Sequence, residues 1–114
     1  MDFEGILENL KKKIYHPIYL LQGEEPFFID QVSNYIEKNA LTEAEKGFNQ
    51  TIFYGKDSEP QNIAESALRF PMMADKQVII VKEAQSLRKI EDLGNYAEKP
   101  MASTLLVLNY KYKT

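Results

Sequence analysis

Residues 77–81, QVIIV, and residues 104–108, TLLVL, are the two runs on which the expected fold depends. Each run is apolar after its first residue, so polar and apolar side chains do not alternate along it. Strands of this composition are buried on both faces, and they lie in parallel sheets that helices cover from both sides. The two runs therefore predict central strands of an α/β domain.

Two more runs, at residues 18–21 (IYLL) and 49–54 (NQTIFY), predict further strands. A capping box at residues 42–45 predicts a short helical turn, which we expect Gly47 to break. The expected architecture is a three-layer α/β fold, a parallel sheet with helices on both faces and right-handed crossovers. Amphipathic or capped segments predict the longer helices, which cover residues 2–14, 26–39, 58–70 and 86–97.

Length and composition restrict the function classes that remain open. The chain has 114 residues, no cysteine and one histidine. These counts exclude a disulfide scaffold and thiolate metal sites, and they nearly exclude histidine-based metal centres and Ser-His-Asp catalysis. A net charge of −3 predicts no strongly basic surface for nucleic acid. No apolar run reaches the length of a membrane span, and the N-terminus lacks the apolar stretch of a signal peptide. Together with the residue counts, these features predict a cytoplasmic domain without a metal or cofactor.

The loop after the first strand is where open α/β sheets commonly bind ligands, and its residues argue against nucleotide binding. A phosphate-binding P-loop beginning at Gly23 would require a lysine at position 29 and a hydroxyl at position 30. The chain has Ile29 and Asp30 at those positions. An apolar side chain and an anion do not bind a triphosphate, so the sequence predicts a degenerate site.

The end of the third strand also lacks the residues that phosphoryl transfer requires. Magnesium coordination needs an aspartate there, and Lys82 occupies that position. Glu83 follows, but a glutamate after a strand is more simply explained as a charge at a helix N-terminus. We therefore expect no catalysis within this chain.

The connector before the third strand, residues 69–75 (RFPMMAD), is unusually apolar for a segment that normally lies on the surface. One interpretation is that Phe70 and both methionines pack under the sheet edge as core residues. The other is that Met72 and Met73, on a turn that Pro71 stiffens, insert into an apolar pocket of a partner, since methionine adapts to irregular surfaces.

Three segments, residues 17–25 (PIYLLQGEE), 70–84 (FPMMADKQVIIVKEA) and 104–109 (TLLVLN), together resemble the N-terminal domain of the delta subunit of bacterial DNA polymerase III. The resemblance extends from about Pro17 to Asn109. It implies a non-catalytic clamp-loader subunit that binds and opens the beta sliding clamp during DNA replication. It also implies an AAA+-type domain, related to P-loop NTPases, without a working ATP site.

The resemblance further implies how the domain is arranged and what it meets. By analogy with the AAA+ sheet, the strands would lie in the order first, fourth, third, second. Residues 1–114 would then be a fragment without the lid and collar domains. The implied partners are the beta clamp, and the delta prime and gamma/tau subunits mainly through the absent domains. DNA would be bound only within the assembled complex, as part of an accessory to a DNA-directed DNA polymerase, a nucleotidyltransferase.

The family motif assigns roles to particular residues. In the family an apolar pair inserts into a pocket of the clamp, and here that pair corresponds to Met72 and Met73, where other members often have leucine or phenylalanine. Pro71 precedes the pair, and Phe70 would support the connector. The degenerate nucleotide site would comprise Gly23, Ile29, Asp30, Lys82 and Glu83.

Two other functions stay open at this point. One is a P-loop enzyme that handles a nucleotide, against which Ile29 and Asp30 argue. The other is a small α/β interaction module unrelated to replication, in which the two methionines are core residues. Solvent exposure of Met72 and Met73 distinguishes this module from a clamp-binding domain.

Overall fold

The computed structural model describes residues 3–23 and 25–111, and its centre is a sheet of four parallel strands. The strands lie in the order β1-β4-β3-β2, so both of the apolar runs quoted first are central strands. Parallel pairing joins each neighbour, with Ile79 of β3 opposite Leu106 of β4. The strands are β1 (Ile18–Gly23), β2 (Gln50–Tyr54), β3 (Gln77–Lys82) and β4 (Thr104–Lys111). The predicted α/β class and strand order are confirmed.

Helices cover both faces of the sheet, as the burial of the central strands requires. Five α-helices lie within the described residues, together with three short 3₁₀ turns at Gly55–Asp57, Ala84–Ser86 and Ile90–Leu93. The helices are α1 (Phe3–Lys11), α2 (Pro26–Asn39), α3 (Glu43–Asn49), α4 (Pro60–Ala67) and α5 (Gly94–Glu98). None of them is long and apolar enough to cross a membrane.

Alternate residues of β3 divide between two apolar layers. Val78 and Ile80 point to the layer formed with α1 and α2, and Ile79 and Val81 point to the layer formed with α4 and α5. All four side chains are buried, and β-branched side chains such as these pack well on the pleated surface of a sheet. The predicted three-layer arrangement is therefore confirmed.

The capping box at residues 42–45 is present, but the predicted break at Gly47 is wrong. Thr42 N–H donates to Glu45 Oε1 at 2.9 Å, and Glu45 N–H donates to Thr42 Oγ1 at 3.3 Å. The helix α3 then continues through Gly47 to Asn49. A glycine inside a helix costs only about 1 kcal/mol, which the cap and the contacts of Asn49 offset.

Two other helix predictions need correction. No capping box forms at residues 58–61, because Ser58 Oγ donates to the carbonyl of Tyr54 at 2.7 Å and Glu59 is the N-cap of α4. The predicted helix over residues 86–97 is replaced by 3₁₀ turns and the short α5, because Lys89 adopts a left-handed conformation with φ of 57°. Its expected inward residues Leu93 and Tyr96 are nevertheless buried.

The remaining differences concern where helices end. The first helix ends at Lys11 and not at Ile14, and Lys13 has a positive φ of 60°. The helix α4 ends at Ala67, three residues before the predicted end at Phe70. The early end of α4 leaves a long irregular connector between α4 and β3, and this connector contains the apolar residues singled out in the sequence.

Candidate functional site

The connector presents its apolar side chains to solvent. Phe70 is 78% exposed, Met72 60% and Met73 100%. This exposure shows that the interpretation of Phe70 and the methionines as core residues is wrong. We call residues 70–73 the methionine turn. Because the turn lies in the connector that leads into β3, it lies at the edge of the sheet where the strands begin, away from the edge where α/β folds usually bind small ligands.

The backbone of the methionine turn has an unusual conformation. Met73 has φ of 56°, in the left-handed region that costs a residue with a Cβ about 1–2 kcal/mol. A cost of this kind persists only where the surroundings hold the backbone in place. The turn thus combines a left-handed backbone with a fully exposed apolar side chain at Met73.

Asn49 is the side chain that holds the turn from the side of α3. Its Oδ1 accepts from the N–H of Met72 at 2.7 Å, and its Nδ2 donates to the carbonyl of Met72 at 2.9 Å. The same Nδ2 also donates to the carbonyl of Glu45 within α3 at 3.0 Å. Asn49 is only 3% exposed, so the turn is fastened to a buried amide.

Gln77, the first residue of β3, fastens the other side of the connector. Its Nε2 lies 2.7 Å from the carbonyl oxygen of Arg69 and 3.0 Å from that of Ser66. The same nitrogen lies 2.9 Å from Thr104 Oγ1, and the Thr104 hydroxyl donates to the carbonyl of Ala67 at 2.8 Å. These contacts bind the carbonyls of Ser66 and Ala67 in the last turn of α4 and the carbonyl of Arg69 just beyond it.

Sequence reasoning did not identify Asn49, Gln77 or Thr104 as parts of this site. A signal was present, because Gln77 and Thr104 are the polar first residues of two otherwise apolar strands. Such residues can be satisfied only by nearby polar groups when they are buried. The partners, however, lie 11, 27 and 37 residues away along the chain, and only the fold reveals them.

The predicted nucleotide site lies at the opposite, carboxyl edge of the sheet, and the structure brings only part of it together. Asp30, Lys82 and Glu83 line one cleft there. Ile29 is fully buried in the layer under α2 and does not face the cleft. Gly23 ends β1 with φ of 152°.

Both lysines that line this cleft lie near carboxylates. Lys111 Nζ lies 2.9 Å from Asp30 Oδ1, and Lys82 Nζ lies 3.6 Å from Glu37 Oε1. Glu83 is exposed in a left-handed conformation with φ of 54° and accepts from Gln85 Nε2 at 2.9 Å. Within residues 3–23 and 25–111, no group of three or more His, Cys, Asp and Glu side chains could hold a metal ion.

Comparisons with known proteins agree with this fold. A sequence model of the family "DNA polymerase III, delta subunit" matches residues 19–114. The DNA polymerase III subunit delta of Bacillus subtilis (strain 168) is 27% identical over 118 residues, which cover 95% of this chain and 34% of the relative.

A solved structure has the same fold over almost the whole chain. The Bacillus subtilis DNA clamp loader delta protein superimposes with a TM-score of 0.83 at 24% identity, covering 97% of this chain and 36% of that protein. The chain thus spans about a third of the length of both relatives. With more than half of its residues matched by the family model, the chain belongs to the DNA polymerase III delta subunit family and corresponds to an N-terminal domain of that clamp loader subunit.

Proposed function

We propose that this chain is the part of a clamp loader delta subunit that binds the beta sliding clamp and helps to open it. The binding element is the methionine turn, in which Met72 and Met73 enter an apolar pocket of the clamp. Pro71 and Phe70 shape and flank the pair. The observation that carries the proposal is the exposure of both methionines on a turn whose backbone is held in place.

Burial of the two methionines supplies enough free energy to anchor an interface. Complete burial of a methionine side chain contributes about 1.5–3 kcal/mol. Scaled by the exposed fractions of Met72 (60%) and Met73 (100%), the pair supplies about 2–5 kcal/mol on binding. This range corresponds to roughly 30- to several thousand-fold in Kd. The rest of the affinity comes from surrounding contacts.

Opening of the clamp follows from a difference in affinity between two states of the ring. A ligand shifts an equilibrium only by as much as it binds one state better than the other. The turn would therefore contact the open or strained ring better than the closed one. ATP binding by sister subunits of the loader would make the turn accessible.

The domain itself acts without catalysis and without a nucleotide. Ile29 is buried in the core, and Asp30, which stands at the position of the P-loop hydroxyl, is paired with Lys111. These two features support a degenerate nucleotide site, comprising Gly23, Ile29, Asp30, Lys82 and Glu83, and the AAA+-like character of the domain is part of the proposal.

We propose the other partners by analogy with the family. Residues 1–114 would be the N-terminal domain of a longer subunit with lid and collar domains, which contact delta prime and gamma/tau. DNA would be met only within the assembled complex, where the subunit serves the DNA-directed DNA polymerase, and the whole assembly would be cytoplasmic.

The test is clamp binding by a double variant, Met72→Ala with Met73→Ala. We expect a loss of at least 30-fold in affinity for the beta clamp of the same organism, measured by surface plasmon resonance. The melting temperature should change little, because neither side chain is buried. Clamp capture equal to that of the unmodified chain would refute the proposal.

Phe27→Ala is the matched control. Phe27 is exposed to a similar degree, at 58%, but it lies in the first turn of α2, which follows β1, and so it lies at the opposite edge of the sheet. This variant should bind the clamp within about twofold of the unmodified chain. An equal loss in both variants would indicate non-specific apolar adhesion and would also count against the proposed site.

A further inference from the structure

The contact between Asn49 and Met72 joins two segments that are 23 residues apart in the chain. Both polar groups of the Met72 backbone are bound by one side chain, with the N–H donating at 2.7 Å and the carbonyl accepting at 2.9 Å. A buried amide with this bidentate geometry fixes the orientation of the two peptide units on either side of Met72. The side chain that follows is Met73, fully exposed with a left-handed backbone.

Asn49 uses the full hydrogen-bonding capacity of its NH₂ group in this position. One Nδ2 hydrogen serves the carbonyl of Met72, and the other serves the carbonyl of Glu45 at 3.0 Å. The second of these bonds ties the amide to the backbone of α3 at Glu45, one turn before Asn49. The orientation of the amide is therefore set by the helix, and the orientation of Met72 is set by the amide.

We propose that Asn49 is a positioning residue for clamp binding, an inference that rests on the proposed function of the methionine turn. It touches no partner itself. It holds Met72 and Met73 in the binding conformation before the partner arrives, so that the turn does not have to be ordered on binding. Prior ordering of a binding segment raises affinity because the entropic cost has already been met by folding.

The first test is Asn49→Ala. Removal of the amide frees the Met72 backbone while leaving both methionine side chains in place. We expect clamp affinity to fall about 10-fold or more. We also expect faster hydrogen exchange at the Met72 amide, because its acceptor is lost.

Asn49→Asp keeps a hydrogen-bond acceptor at this position and removes the two N–H donors. The introduced carboxylate still accepts from Met72 N–H, so this amide should stay protected from exchange. It has no hydrogen to donate to the carbonyls of Met72 and Glu45, which lie 2.9 Å and 3.0 Å from the present Nδ2. Affinity should therefore fall as in Asn49→Ala, and this variant decides the matter if Asn49→Ala fails to fold.

Thr42→Ala controls for a general weakening of α3. It removes the hydroxyl that caps the helix, at 3.3 Å from the Glu45 N–H, but it does not touch the turn. The melting temperature should fall by a few degrees in both Thr42→Ala and Asn49→Ala. Clamp affinity should stay within about twofold in Thr42→Ala only.

The outcomes distinguish this inference from the proposed function. If the double methionine variant loses clamp binding while both Asn49 variants bind as the unmodified chain does, Asn49 is not a positioning residue. The same conclusion follows if Thr42→Ala weakens binding as much as Asn49→Ala. If the double methionine variant itself binds normally, the proposed function fails.

Discussion

Replacement of Gln77 by leucine tests whether the connector depends on one buried amide. Gln77→Leu keeps the volume of the side chain and removes its NH₂ group. That group lies within 3.3 Å of four oxygen atoms, which belong to Ser66, Ala67, Arg69 and Thr104. Two hydrogens cannot serve four acceptors fully, so we count two hydrogen bonds.

The expected loss follows from these contacts. Each of the two hydrogen bonds contributes about 0.5–1 kcal/mol net, and one buried oxygen left without a partner costs a further ~1–2 kcal/mol. We therefore expect the free energy of unfolding to fall by about 2–4 kcal/mol. A domain of this length has an unfolding entropy of roughly 0.24 kcal/mol per kelvin, so the melting temperature should fall by roughly 8–16 °C.

The assay is urea denaturation combined with thermal melting followed by circular dichroism. Gln61→Leu is the matched control, because Gln61 is exposed on α4 and contacts only the side chain of Glu65 among the bonds described, at 3.3 Å. It should change the free energy of unfolding by less than about 0.5 kcal/mol. A decrease of less than 2 °C in the melting temperature of Gln77→Leu would refute the reasoning, since water would then satisfy the carbonyls of the connector equally well.

Two further predictions concern the scaffold. Gly55→Ala should lower the free energy of unfolding, measured by urea denaturation, by at least about 2 kcal/mol, because a Cβ there would collide with the backbone carbonyl of Glu83. Gly47→Ala, which adds a Cβ in open space within α3, should raise it by up to ~1 kcal/mol. Equal effects of the two variants would contradict the geometry. Burial raises the pKa of Tyr19 above its ordinary 10.0, so the stability that this shift contributes is fully present below pH 10 and is lost as the pH rises further. Tyr19→Phe should therefore reduce the loss of folding stability at alkaline pH. An unchanged dependence of the free energy of unfolding on pH would contradict the assignment.

The architecture could be predicted from sequence because the strongest signals were local. The two central strands are apolar on both faces, and α2 has a proline at its first position and a periodic apolar face. These two strands and this helix begin at the predicted residues. Predicted helix boundaries were wrong where the backbone conformation of one residue interrupted a periodic pattern. The left-handed Lys89 is the clearest case, since it divides a segment whose spacing fits a helix.

The exposed residues of the candidate site could be predicted from the sequence, but the buried residues that hold them in place could not. Apolar residues in a connector are visible in the sequence, so Met72 and Met73 were identified from composition and neighbouring proline. Asn49 gave no such signal, because its hydrogen bonds to Met72 depend on how α3 and the connector meet in space. Contacts between polar groups distant along the chain follow from the completed fold and not from local pattern.

The attachment of the connector to β3 and β4 has a mechanical consequence. Gln77 and Thr104 begin the two central strands and hold the carbonyls of Ala67 and its neighbours. Traction on Met72 is therefore transmitted into the stiffest part of the molecule, where strands are bonded on both sides. The methionine turn therefore moves together with the rest of the domain. When the domain rotates, the turn is displaced with it and the connector bends little.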